Sequence, residues 1–574
     1  MASKPESSPR QPTTTAVDPR PRQATQRYIG ATVLLAALSG LLALDVLYLR
    51  PSALSPARKA LGLTLVFFGL YTQTILRRSW QYYTTMAQLG CLPPPRYPND
   101  PLGIKYLKEV AGLIKGNALL AGWTRLLGTV GHTFEHRTFP SPSPMLLTDE
   151  PANVRAVLTT RFDDWDLPQL RIDALSPMLG HHSIFTTNGA SWRHARAVLR
   201  PAFVRDMVAD LRCLDRHVAK LVATIPRDGA PFDMQLLLSM FTIDAISDFM
   251  FGHTTDILGV APADGLRFGT SFDLCTQRLA DRSKLGRLAF LVRDRELDEA
   301  IAYMSAFVDK YVAEVKHDLQ LLQQQQQQQQ QEKGEKEEEA KKTSADSKRY
   351  MFLHELLQSG EPDAVIRDHL ISIFLAGRDT TASALSYLFH ELSARPDVVL
   401  AIQREIAGLN LADEAELPSW ESLRNMQYLN WSIREALRLN PPVASNAREA
   451  VRDTVLPAGG GPDGKAPVFV AKGTTLRYLP WALQRRKDIY GSDAEEFRPE
   501  RWESLRTTFE YVPFNAGPRI CVGQQFALTQ MAFVVFRLLQ HFKTIERRDE
   551  RPPVLKFGIS TTLLNGCWVS MTPA

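Results

Sequence analysis

The sequence predicts a mostly α-helical domain with a smaller β portion, held at a membrane by an N-terminal anchor. Three observations carry this expectation. Residues 363–394 run without an internal proline, enough for about 48 Å of helix at 1.5 Å per residue. Two apolar runs, 28–49 and 61–76, approach the length of a bilayer core, with Arg50, Arg58 and Lys59 between them. Strand-like flanks at Thr454–Val455–Leu456 and 467–470 bracket a glycine-rich loop and mark the β portion.

Composition excludes several classes. Of 574 residues 44% are hydrophobic and 22% charged, so the chain is not mainly disordered. A net charge of +5 from 67 basic and 62 acidic residues is mild for this length and does not point to nucleic acid. The five cysteines, Cys91, Cys213, Cys275, Cys521 and Cys567, are sparse and contain no C-x-x-C pair, which excludes a disulfide framework.

Residues 1–27 are rich in Ser, Pro and Thr and read as a disordered tail. Residues 28–78 form the anchor, as one or two helices, with Trp80, Tyr82 and Tyr83 following at interface position. Residues 79–102 contain Pro93–Pro94–Pro95 and read as a stiff hinge. The catalytic unit spans 103–574. It carries a low-complexity insertion over 320–348, a nine-glutamine run and a Lys/Glu-rich stretch, expected as a solvated connection between helices. In the long helix the stretch 370–377 is apolar nearly all round, so the helix runs through the core. Arg378, Asp379, Thr380 and Thr381 follow it directly, and polar residues so placed need partners or a task.

The segment 514–523 reads F-N-A-G-P-R-I-C-V-G and leads into an apolar-periodic helix. Cys521 at this helix start faces the positive end of the dipole, which favours a thiolate suited to a metal. Gly517 and Gly523 allow a tight loop and a close approach to a flat ligand, and Arg519 adds positive charge. Glu435 and Arg438 are three apart and share a helix face.

These residues resemble the cytochrome P450 superfamily, the haem-thiolate monooxygenases. The segment 514–523 matches the family pattern F-x-x-G-x-R-x-C-x-G in full. Glu435 to Arg438 is similar to the family's E-x-x-R, 497–502 to its P-E-R segment, 376–381 to its oxygen-activating groove, and Trp192 to Arg196 to its W-x-x-x-R haem contact. The resemblance implies haem b, with Cys521 as the axial ligand to iron. It implies Arg196, Arg448 and Arg519 as partners of the two propionates, with Trp192 as a donor and Phe514 in the haem loop. It implies a buried triad of Glu435, Arg438 and Arg501, and it gives Asp379 and Thr380 to protonation of bound dioxygen. The resemblance further implies electrons from NADPH through NADPH-cytochrome P450 reductase, with cytochrome b5 as a second partner.

Several stretches, 183–189, 376–382 and 485–502, are similar to fungal membrane-bound enzymes that hydroxylate n-alkanes and fatty acids at the chain end. The implied substrate is a hydrophobic small molecule drawn from membrane lipid. The implied location is the endoplasmic reticulum membrane, with the catalytic domain facing the cytosol. Leu375, Ala376, Val443 and Ala444 are the expected pocket residues. Two features depart from the pattern: Gln484 stands where a histidine is expected, and the glutamine run is atypical. Two other readings stand beside this one, a fungal secondary-metabolite tailoring oxidase acting on a polyketide or terpenoid, and a non-catalytic haem-binding or electron-transfer protein.

Three motifs compete for attention. His132-Thr-Phe-Glu135-His136 matches the H-x-x-E-H zinc-protease spacing but reads as strand, where that chemistry needs a helix. The loop 459–465 imitates a phosphate loop, yet no helix follows it, so it reads as a hairpin turn. Arg485–Arg486–Lys487 reads as a solvated basic face that also suits docking of an acidic reductase.

Overall fold

The computed structural model describes residues 56–98, 103–137, 144–203, 211–260, 262–284, 292–332, 352–412 and 416–574. The tail and the first apolar run, with the start of the expected anchor, lie outside these residues.

The helices used below are α1 (Pro56–Gln88), α2 (Ile104–Lys115), α3 (Leu119–Val130), α4 (Gln169–Leu179), α5 (Gly189–Leu199), α6 (Leu211–Thr224), α7 (Met234–Phe251), α8 (Ala263–Lys284), α9 (Arg295–Glu332), α10 (Asp363–Leu392), α11 (Gln427–Leu439) and α12 (Gln524–His541). The strands are β1 (Thr133–His136), β2 (Met145–Thr148), β3 (Trp165–Asp166), β4 (Phe232–Asp233), β5 (Asn446–Ala450), β6 (Thr454–Gly460), β7 (Ala466–Val470), β8 (Thr475–Tyr478), β9 (Phe542–Arg547), β10 (Leu555–Phe557), β11 (Thr561–Leu563) and β12 (Trp568–Pro573).

The chain divides into two compact units. One holds 1–94 and 454–471, the other 95–453 and 472–574. In the smaller unit, α1 carries the second apolar run and continues through Trp80, Tyr82 and Tyr83 to Gln88. Helix therefore replaces the first ten residues of the expected hinge, because no proline interrupts the run before Pro93. Phe67, Leu70 and Tyr71 on α1 are exposed. Strands β6 and β7 pair antiparallel, so the glycine-rich segment is a hairpin. Met86, Cys91 and Phe469 are buried together, with Tyr82 and Tyr83 against them. This hairpin groups with α1 and not with the catalytic unit to which the sequence reading assigned it.

The larger unit is built on α10. The helix ends at Leu392, two residues before the expected Ala394, and the Ser393 N–H still bonds back to the Phe389 carbonyl. Its first half, Ile366 to Leu375, is buried in one apolar cluster with α7, α8 and α9. Its second half, Ala384 to Leu392, is buried in another with α6, α11 and α12. The polar stretch falls between the two clusters, where a cavity opens. Among the described residues the one helix long and apolar enough to cross a membrane is α7, and it is mostly buried in these cores.

The main sheet has the order β1-β2-β8-β5-β3. β2 and β8 are parallel, and the other pairs are antiparallel. A second sheet orders β4-β12-β9, and β10 pairs with β11. The glutamine run does not begin a loop. It extends α9 to Glu332, since glutamine is a good helix former appended to a helix already seeded upstream. Residues 333–348 of the expected insertion lie outside the described residues.

Candidate functional site

Cys521 sits between a short 3₁₀ turn, Gly517–Arg519, and the start of α12. Its N–H donates to the Phe514 carbonyl at 2.9 Å, which closes the loop. Gly517 is required by its backbone. Its φ is +64°, and a Cβ there would lie 1.9 Å from the Leu158 carbonyl oxygen. The Cys521 side chain opens onto a cavity of about 260 Å³.

Burial among protein atoms pushes the Cys521 thiol above its ordinary pKa, against the opposing pull of the Gly523 N–H and the Arg196 charge. The Gly523 N–H and the Arg196 charge thus act in the direction expected of the helix start, while desolvation opposes them.

Around the same cavity lies a group of arginines. Arg196 of α5 donates to the Ile520 carbonyl at 2.8 Å. Arg519 bonds Asn188 Oδ1 at 3.0 Å and lies 4.2 Å from the Trp192 ring. Arg448 of β5 and Arg171 of α4 share Asn446 Oδ1, at 3.2 and 2.8 Å. The nearest carboxylate to Arg519 is Asp166, at 3.8 Å. Burial and the Arg448 charge lower the Arg519 pKa to about 9 and that of Arg171 to about 10. Arg448 Nε and Arg519 Nε are buried without a partner. Like charges concentrated in a desolvated site, with donors left unpaired, call for an anion of more than one negative charge. A flat ring bearing two propionates fits both the donors and the cavity. Arg171 was missed in the sequence, because its partner stands 275 residues away and no local pattern marks it.

Asp379 and Thr380 of α10 line the same cavity as Cys521. Arg378 bonds Asp379 Oδ1 at 2.7 Å and also pairs with Asp273 of α8. Burial raises the Asp379 pKa, while Arg378 opposes the rise. Thr380 Oγ1 donates to its own helix at Ala376 O, 2.6 Å, leaving the hydroxyl oxygen as an acceptor. A Cβ on Gly377 would come within 2.7 Å of Ile246 Cδ1, so the missing side chain also makes room for α7.

Leu375, Ala376 and Val443 line the cavity, together with Ile246, Ile373 and Ile559. Trp192 and Phe514 line it as well. Ala444 does not. It is buried in a separate cluster with Trp123 and Phe134.

Behind the cysteine loop, Glu435 is wholly buried and accepts five hydrogen bonds. Arg438 Nε and Nη2 reach it at 2.9 and 2.8 Å, Arg501 Nε at 2.8 Å, Trp502 Nε1 at 3.0 Å and the Arg498 N–H at 3.0 Å. The remaining guanidinium N–H groups of Arg438 reach the carbonyls of Gln484, Ala494 and Glu496. Gln484 explains its own presence. Its amide donates to the Leu437 and Arg438 carbonyls and accepts from the Val512 N–H, three bonds that one neutral imidazole cannot make.

The competing motifs resolve differently. In β1, Glu135 pairs with Arg137 at 2.9 Å while His136 stacks on Tyr106 at 4.0 Å, so the zinc spacing does not converge. Arg485 stacks 3.5 Å over Trp481 and pairs with Glu495. Arg486 pairs with Glu150 and Asp488. Only Lys487 of that triplet is exposed, which corrects the expected basic face.

The family model for cytochrome P450 matches residues 129–565. The chain belongs to the cytochrome P450 family. It is 38% identical over 490 residues to the cytochrome P450 monooxygenase himC of Aspergillus japonicus, covering 84% of each chain. It is 36% identical over 511 residues to the cytochrome P450 monooxygenase fsdH of Fusarium heterosporum, covering 89% of this chain and 88% of that one. Cytochrome P450 52A5 of Candida maltosa is 37% identical over 461 residues, 76% of this chain and 82% of the relative. The protein is a monooxygenase of the haem-thiolate type. As a P450 it uses haem with a cysteine thiolate axial ligand, O2, and electrons from NADPH delivered by a reductase, and it acts on a hydrophobic substrate.

Proposed function

We propose that this P450 hydroxylates n-alkanes or fatty acids at the chain end. The observation that carries the reading is the deep cavity converging on Cys521, walled by Ile246, Ile373, Leu375, Val443 and Ile559. A flexible apolar chain fills such a space and leaves water outside. In this account Cys521 holds the iron through its sulfur. Arg171, Arg196, Arg448 and Arg519 neutralise the propionates, and Trp192 and Phe514 pack the ring. The bound haem supplies the oxidising chemistry that transfers one oxygen atom from O2. Asp379 and Thr380 carry protons to the oxygen side of the cavity, Asp379 exchanging its Arg378 contact as it does so. The Glu435–Arg438–Arg501 triad holds the backbone behind the cysteine loop.

The same reading places the enzyme on the endoplasmic reticulum membrane, with its catalytic domain in the cytosol and cytochrome b5 as an accessory donor. The exposed Phe67, Leu70 and Tyr71 of α1 support contact with lipid. The test is reconstitution of the full chain with reductase and NADPH, offered dodecane, lauric acid and oleic acid. Hydroxyl at the terminal carbon is expected. Oxidation only within the chain, or no turnover of these while a polyketide or terpenoid is oxidised, overturns the reading in favour of a tailoring role.

A further inference from the structure

Of the five cysteines only Cys521 lines the haem cavity. Cys91, Cys275 and Cys567 are buried elsewhere, and Cys213 is half-buried on α6. His217 follows Cys213 one helical turn later on the same face, and Asp248 of α7 stands across from both. None of these three residues lines the haem cavity.

One oxygen draws the cluster together. Cys213 Sγ donates to Asp248 Oδ2 at 3.0 Å, and His217 Nε2 lies 2.9 Å from the same atom. Arg216 Nη2 reaches it as well, at 3.1 Å. Three donors therefore press on an oxygen that offers two lone pairs. His217 is 2% exposed, and its Nδ1 has no hydrogen-bond partner, so the ring is half-satisfied in the interior. Burial, and then the Asp248 charge, push the Cys213 thiol up to about 12, so the sulfur keeps its proton at neutral pH.

A sulfur, an imidazole nitrogen and a carboxylate oxygen lie within 4.8 Å of one another. This is a donor set for tetrahedral zinc, with the fourth position left to water. Zinc bonds of about 2.0–2.3 Å place tetrahedral ligand atoms about 3.3–3.8 Å apart, so closure needs side-chain shifts of about 1 Å. The sulfur selects against Ca²⁺ and Mg²⁺, which take oxygen ligands. We propose that Cys213, His217 and Asp248 bind a zinc ion that ties α6 to α7. Zn²⁺ displaces the thiol proton, which leaves to solvent, and the thiolate and carboxylate together neutralise the metal. Arg216 then turns out to water, where its side chain is already 56% exposed. The same α7 carries Ile246 against Gly377 of α10, so the clasp steadies one wall of the haem cavity.

The test uses the haem-loaded full chain, in which iron already holds Cys521. After chelator treatment the protein is dialysed against buffered Zn²⁺, and bound zinc is counted by atomic emission. One zinc per chain is expected, with micromolar affinity or better. Cys213→Ser should weaken binding about tenfold or more, and His217→Gln should do the same if the first variant does not fold. Arg216→Gln keeps all three ligands and removes the competing cation, so it should tighten binding several-fold. Calorimetry at neutral pH in two buffers of different ionisation enthalpy should count about one proton released per zinc, the proton of the thiol. No zinc retained by the unaltered chain, or an affinity that neither ligand variant changes, overturns the site. Zinc bound without proton release places the metal on other side chains and overturns it too.

Discussion

Glu435→Ala is the substitution that the structure makes most costly outside the cavity. The carboxylate has no exposure and accepts from two guanidinium groups, an indole and a backbone N–H. Removing it leaves Arg438 and Arg501 charged and buried with only carbonyl dipoles and, for Arg501, Asp493 at 3.3 Å. Breaking a buried pair costs about 3–5 kcal/mol. Against a total stability of about 5–15 kcal/mol, that is a large share. With a urea slope of about 3 kcal/mol per molar or more for a domain this large, the midpoint should fall by about 1 M. A matched control is Arg498→Ala, which removes an ion pair to Asp493 whose arginine side chain is 51% exposed, and should cost under about 1 kcal/mol. Urea unfolding of both variants, followed by far-UV circular dichroism, compares them directly. Equal midpoints for the two variants would refute the reasoning that the triad is a structural support.

Other substitutions probe the remaining parts. Arg448→Gln removes one of four crowded cations, so it should weaken haem binding about tenfold or more while leaving the haem-free protein as stable or more so, measured by haem transfer and thermal melts. Gly517→Ala introduces both a strained φ and a clash with the Leu158 backbone, so it should cost more than the about 1 kcal/mol of a simple glycine replacement and lower haem content. Arg378 opposes the raised pKa of Asp379, and its removal raises that pKa further. With the ionised carboxylate as the working form, Arg378→Leu should move the acidic limb of the rate–pH profile to higher pH. Gln484→Ala leaves two carbonyls and one N–H unpaired in the interior and should destabilise by about 2–4 kcal/mol in the same urea assay.

Much of the site was legible because its parts are local in sequence. The cysteine loop and its helix occupy consecutive residues, and Glu435 and Arg438 are one helical turn apart. What escaped depended on distant contacts. Arg171 is an ordinary residue of α4 until that helix brings it to Asn446 of β5. The approach of Ile246 to Gly377 comes from a helix far upstream, and no local pattern marks it. Ala444 lies in the irregular stretch before β5, where no periodicity in the sequence says which way a side chain faces. The basic triplet 485–487 reads as a surface because Glu150, which pairs with Arg486, and Trp481, on which Arg485 stacks, are not marked by the run of charges itself. Composition also misled at the glutamine run, where low complexity was taken for a connection although glutamine sustains a helix.

The central claim is that Cys521 ligates haem iron as a thiolate within the arginine-lined cavity. Its most direct test is the absorption spectrum of the reduced, carbon monoxide-bound full chain beside that of Cys521→His. The account predicts the red-shifted Soret band of a thiolate ligand in the unaltered protein, and loss of that band in the variant with haem still bound. A thiolate band that persists in Cys521→His, or is absent from the unaltered protein with haem bound, would contradict it.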